Sequence, residues 1–146
     1  MKGFTLIELL VVIGIIAVLA TIVIIAINPA RQFAQARDIQ RTSHVNSILN
    51  AIGQRMADNK GIFAGGTCNA LPVGTTTIST TSGAGLGELG CLVPTYITAL
   101  PLDPSSGFDT NTGYVFYQDS LTGRVHVIAT TTEPSIPRLG QIEIVR

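Results

Sequence analysis

Phe4-Thr5-Leu6-Ile7-Glu8-Leu9-Leu10-Val11-Val12-Ile13-Gly14-Ile15-Ile16-Ala17-Val18-Leu19-Ala20-Thr21-Ile22-Val23-Ile24-Ile25-Ala26-Ile27 is the stretch on which the reading of this chain turns. Residues 9–27 hold no charged side chain and a single polar one, Thr21. As a helix they rise about 28 Å, close to the hydrocarbon thickness of a bilayer. A helix lying on a soluble core keeps a polar stripe at a period of 3.6 residues, and this one has none. The segment is built to sit in lipid or to be buried among copies of itself.

Working outward, the flanks of this run are unlike those of an ordinary secretory signal. Such a signal has a shorter apolar run and a small-residue cleavage site after it. Here the run is longer, and the small residue that stands out, Gly3, comes before it. Glu8 stands beside a dense series of Leu, Ile and Val. A carboxylate at the bilayer centre costs about 2.5–3.5 kcal/mol on insertion scales, although a side chain near the helix end can snorkel. Glu8 is either an interfacial acid on an uncleaved anchor or an acid with a specific cationic partner.

The run Lys2-Gly3-Phe4-Thr5-Leu6-Ile7-Glu8-Leu9-Leu10-Val11-Val12 resembles the class III signal of type IV pilins and of the related pseudopilins of type II secretion. The resemblance is dense over residues 2–27, looser through the next helix and architectural beyond it. It implies cleavage after Gly3 by a prepilin peptidase on the cytoplasmic side, and methylation of the new N-terminal Phe4. It also implies that Glu8 attracts the Phe4 amine of a neighbouring subunit as a filament grows. Opposite charges in low dielectric relieve each other's desolvation only when paired, so such a pair sets the register. The local charge count points the other way: Arg31, Arg37 and Arg41 outnumber Lys2 and the starting amine, which alone would keep the head in the cytoplasm. The signal takes precedence, because Gly3 has to reach a cytoplasmic-face active site.

The rest of the chain reads as a rod and a head. Pro29 predicts a kink or short break, and the resemblance favours one long helix with a weak point there. From residue 30 to about 59, Phe33, Ala34, Val45, Ile48, Leu49, Ile52 and Met56 follow helical spacing. Arg31, Gln35, Asp38, Arg41 and Gln54 are expected to point outward, with Asp38 making weak surface pairs to Arg37 and Arg41. His44 is expected in solvent. Lys60-Gly61 stops the helix. Residues 61–90 form a Thr-, Ser- and Gly-rich loop whose composition specifies no strand. In pilin-like proteins this is the variable face. Cys68 and Cys91 pair if the head faces an oxidising compartment, and are otherwise two buried thiols. A short helical turn is expected from Pro94 to Pro101, followed by Leu100-Pro101-Leu102-Asp103-Pro104, which resembles a segment of many pseudopilins. Strands are predicted at residues 114–118, 125–129 and 141–145, the first two joined by a hairpin over 119–123. In the second strand, Val125, Val127 and Ala129 share one face.

The expected fold is therefore α+β and type IV pilin-like: one long N-terminal helix, half transmembrane, packed on a small antiparallel sheet. The units are a leader at 1–3, a filament-core half at 4–28, an amphipathic half at 29–60 and a head at 61–146, with the sheet at about 113–146. Zero net charge and the lack of clustered Lys and Arg give no nucleic-acid footprint. Two histidines without a nucleophile motif or metal-type spacing do not specify an enzyme. Asp103, Asp109, Asn111 and Asp119 are hard oxygen donors around one loop region and form a candidate Ca²⁺ set, although Asp and Asn also serve such turns for backbone reasons.

The functional expectation is a pilus subunit for adhesion, motility or DNA uptake. It would be held in the inner membrane by lipid contacts with its head outside the cytoplasm, then polymerised by a platform and ATPase into an extracellular or periplasmic filament. The alternatives are a pseudopilin acting as a piston for export, a signal-anchored binding protein that never polymerises, and a membrane-tethered enzyme working near His126.

Overall fold

A computed structural model describes residues 3–80, 87, 89–136 and 140–146. Thr81, Ser82 and most of the Gly-rich part of the expected loop lie outside the described residues, as do Lys2 and Pro137. Two helices come first, α1 (Leu6–Ile27) and α2 (Pro29–Asp58), and four short strands follow: β1 (Thr76–Thr77), β2 (Tyr114–Gln118), β3 (Val125–Ala129) and β4 (Ile142–Val145). This is an α+β, type IV pilin-like arrangement.

The boundary between the helices is local chemistry. Asn28 sits in the left-handed region at φ 48, a conformation that Asn tolerates better than most residues. It ends α1 and, through its side-chain oxygen, accepts the Arg31 N–H to begin α2. Pro29 is the first residue of α2, where its missing N–H costs nothing and its fixed φ suits the helix. The expected single helix with a weak point at Pro29 is thus two helices joined at Asn28. The physical reason is that proline disfavours the right-handed helical conformation in the residue before it.

Behind α2 the strands run antiparallel in the order β1-β2-β3-β4. Tyr114 pairs with Ala129 and Gln118 with Val125, while Val127 pairs with Ile144. Val125, Val127 and Ala129 turn inward together and alternate with half-buried His126 and Ile128, as a strand with one face on the core requires. They meet Val45, Ile48, Leu49 and Ile52 of α2, with Tyr114, Phe116 and Ile142 completing the core. Full burial of each such aliphatic or aromatic side chain contributes about 1.5–3 kcal/mol, which holds the head to α2.

Several expectations on α2 and the loops are corrected. Asp38 and Arg41 are buried rather than outward, at 6% and 0% exposure, because head loops fold over that face of α2. Phe33, placed on the apolar stripe, is 66% exposed because the head covers a different face at that level. His44 is half-buried, with Nδ1 2.8 Å from the Tyr114 hydroxyl. The helical turn expected after Pro94 lies before it, as a single 3₁₀ turn at Gly90–Leu92 anchored by the fully buried Leu92. The sheet also has one strand more than the three expected. Two threonines give β1 no recognisable pattern, and its existence depends on its pairing with Val115 and Phe116.

Candidate functional site

At the N-terminus the sequence builds an exposed handle. Thr5 caps α1: its hydroxyl accepts the Glu8 N–H, and the Glu8 carboxylate accepts from the Thr5 N–H at 2.9 Å and from its hydroxyl at 2.7 Å. This is a reciprocal capping box, and its Thr-x-x-Glu signal stands in the sequence as Thr5-Leu6-Ile7-Glu8. Glu8, expected as an interfacial acid or an intersubunit partner, thus also serves its own helix start. Gly3 lies just outside the helix with open space around it, and Phe4 is 86% exposed. No residue of α1 is buried, and α1 is long and apolar enough to cross a membrane.

A second constellation joins the head to α2. Arg41 Nε lies 2.6 Å from Asp103 Oδ2, and Arg41 Nη1 lies 2.7 Å from Glu133 Oε1. Arg37 grips the same Glu133 with two bonds of 2.7 and 2.8 Å. Asp103 further accepts the N–H groups of Ser105 and Ser106 at 2.9 and 3.1 Å. Glycine makes this loop possible: a Cβ on Gly107 would stand 2.3 Å from the Asp103 nitrogen, and one on Gly113 2.5 Å from the Asp103 Cβ. Gly113 also holds φ +84, which favours a residue without a Cβ.

The electrostatics follow from this geometry. Burial pushes the Asp103 carboxyl up, but Arg41 and the two serine amides outweigh it and hold it below the usual range. The bonds from Arg37 and then Arg41 bring Glu133 down to about 2. Burial works against the charge on Arg41, and Asp103 and Glu133 together more than offset it. Burial also lowers His44 and raises Tyr114, so both stay neutral at pH 7.

The remaining candidates have separate places. Cys68 and Cys91 form a disulfide that ties the loop after α2 to the 3₁₀ turn. The four calcium candidates serve different partners. Asp103 is committed to Arg41, Asn111 accepts from Gly113 N, and Asp119 accepts from Leu121 N and Thr122 N within its own hairpin. The Asp109 backbone carbonyl accepts from Thr80 N, and its side chain is exposed. Among the described residues no three His, Cys, Asp or Glu side chains form a metal cluster. His126 stacks on Tyr117 with ring centroids 4.4 Å apart, and its Nδ1 lies 2.6 Å from Glu143.

Sequence reasoning named Asp103 for another role and did not name Arg37, Arg41 or Glu133 as a network. The partners stand 62 and 92 residues from Arg41, beyond any local pattern.

Comparison with known proteins adds one finding at the handle. A family model described as the prokaryotic N-terminal methylation motif matches residues 1–24. No curated protein and no solved structure matches the chain. A motif of this type implies processing by a prepilin peptidase and filament assembly in general, and it points to a structural rather than a catalytic protein. The chain carries a prokaryotic N-terminal methylation motif at the start of a type IV pilin-like α+β arrangement, and its apolar N-terminal helix fits a membrane-anchored precursor of that type.

Proposed function

We propose that this chain is the structural subunit of a type IV pilus-like filament, cut after Gly3, methylated on the Phe4 amine and polymerised through α1. The carrying observation is an apolar helix of 22 residues with no buried position, attached to a head whose core is already complete without it. Such a helix needs lipid before assembly and other copies of itself afterwards. The cut would put the Phe4 amine beside Glu8, whose carboxylate already faces the Thr5 N–H at the helix start. Glu8 would then pair with the amine of the neighbouring copy and fix its register. The disulfide supports a head outside the cytoplasm, and an exposed fibre serving adhesion, motility or DNA uptake. A platform and ATPase at the inner membrane would drive growth. The Leu100–Pro104 segment, which resembles a pseudopilin feature, keeps a piston for type II secretion as the second reading.

Intact mass and electron microscopy of material sheared from cells expressing the native chain test the proposal. Mature chains that begin at methylated Phe4, in fibres lost with Glu8→Ala, are expected. Chains retaining Met1 to Gly3 in the membrane, with no fibres, would sink it. Short periplasmic fibres with an export defect on deletion would select the piston instead.

A further inference from the structure

The head has chemically opposite ends. At the level of Arg41 and His44 it is closed by Asp103 and Tyr114, and at the level of Ile52 and Met56 by Val125 and the 119–124 loop. These levels are about 18 Å apart along the α2 axis. At the first end, the loop 102–112 is pinned at its base by Asp103 N donating to Thr112 O at 2.8 Å. Its tip is a tight turn with Phe108 and Asn111 paired, which leaves the Phe108 ring 56% exposed next to the exposed Asp109. At the second end, Ile52, Gly53, Met56 and Val125 line a depression of about 320 Å³ with Arg124 and Arg146 on its border. Its floor is apolar and its charged border is basic.

An exposed ring beside an acid thus occupies one end, and an apolar depression beside two arginines the other. Within one chain they cannot meet. We infer that, in the fibre, Phe108 of each head seats in the depression between α2 and β3 of the next copy, with Asp109 facing that copy's Arg124 and Arg146. The volume is at the lower bound of small-molecule sites and sufficient for one aromatic ring. Charge complementarity selects a second copy over a neutral lipid chain. The direction is also consistent, because Phe108 lies toward the α1 end of the head and the depression lies away from it, so copies stacked with α1 parallel bring the two together. A contact between different surfaces of identical chains propagates an open fibre wherever its rotation does not close a ring, as in copies stacked along parallel α1 helices. The inference rests on the filament reading and adds to it a head-to-head contact independent of α1.

Two measurements on fibres of the full chain test it. Gly53→Cys combined with Thr110→Cys places thiols beside the contact without removing Phe108 or Asp109, and a Cβ at position 53 meets nothing within 4 Å. Mild oxidation of sheared fibres should give a ladder of dimers, trimers and longer chains. In the second measurement, Asp109→Arg and Arg124→Glu should each lower fibre yield about tenfold through like-charge contact, and the double variant should return it to within about twofold of the native level. Fibres of normal yield without a ladder, a position-53 thiol trapped on the cysteine of another envelope protein, or charge swaps without effect would each overturn the contact and leave the filament reading standing. If the native chain makes no fibres, both fall.

Discussion

Arg41 is a buried cation held between two carboxylates of the head. It is fully buried, its charge is matched by Asp103 and Glu133, and one of its nitrogens also donates to Ser105. Replacing a buried pair with apolar groups is often harmless, whereas removing one partner leaves the other charge stranded. Arg41→Ala should therefore lower the unfolding free energy of the detergent-solubilised chain by about 3–5 kcal/mol. Arg41→Ala combined with Asp103→Leu should recover part of that loss. A denaturant titration of both variants checks the order. The same cluster sets an acid limit. The folded chain holds the Asp103 and Glu133 carboxyls below their unfolded values, so their contribution is complete above those values and is lost as pH falls through the folded ones. Stability should be flat on this account above pH 5 and drop from the ordinary glutamate value of 4.5 toward about 2. Glu133→Gln should remove the onset of that drop between 4.5 and 3.8, the range in which Glu133 titrates before Asp103 begins to, in a pH series of thermal unfolding.

Among the elements, the junction between α1 and α2 is the most sharply specified. Asn28 in the left-handed region and Pro29 at the first helical position separate two helices that would otherwise be continuous in hydrogen bonding. A β-branched or straight-chain residue at position 28 resists that conformation by about 1–2 kcal/mol. Asn28→Leu combined with Pro29→Ala should fuse the helices. Spin labels at positions 20 and 40 would then read about 30 Å, the length of a straight helix over that span, and a shorter distance in the native chain. Unchanged distances would place the origin of the junction elsewhere. The hairpin between β2 and β3 is specified in a similar way. Asp119 accepts two backbone N–H groups of the turn, and Gly123 supplies the positive φ of 71 near its end.

Taken as a whole, the molecule separates a closed head from an open rod. The head core joins α2 to all strands but the short β1, while every residue of α1 is left exposed. The head is small, so the Cys68–Cys91 link is expected to matter. It closes a loop with a sequence separation of 23, and a cross-link of that span contributes about 3 kcal/mol in the chain-entropy account. Reduction should therefore shift thermal unfolding of the head downward while leaving the helical signal of α1 in detergent unchanged. Loss of both signals together would mean that α1 and the head unfold as one unit.

Much of this was legible in the sequence. The unbroken apolar run, the residues before it and the period-two strands each declare themselves within a few consecutive positions. The predicted strands at 114–118 and 125–129 agree with β2 and β3, and the third differs from β4 by one residue. The cysteines could be named as a candidate pair, but only the folded chain brought them together. The face of α2 around Asp38 and Arg41 was misread for a definite reason. A charged residue on a helix is assigned to solvent unless its partner is known, and the partners of Arg41 arrive from distant loops. Local pattern reports what one segment prefers. Which charge is buried depends on which segments close over it, and that is settled when Asp103 and Glu133 fold onto α2.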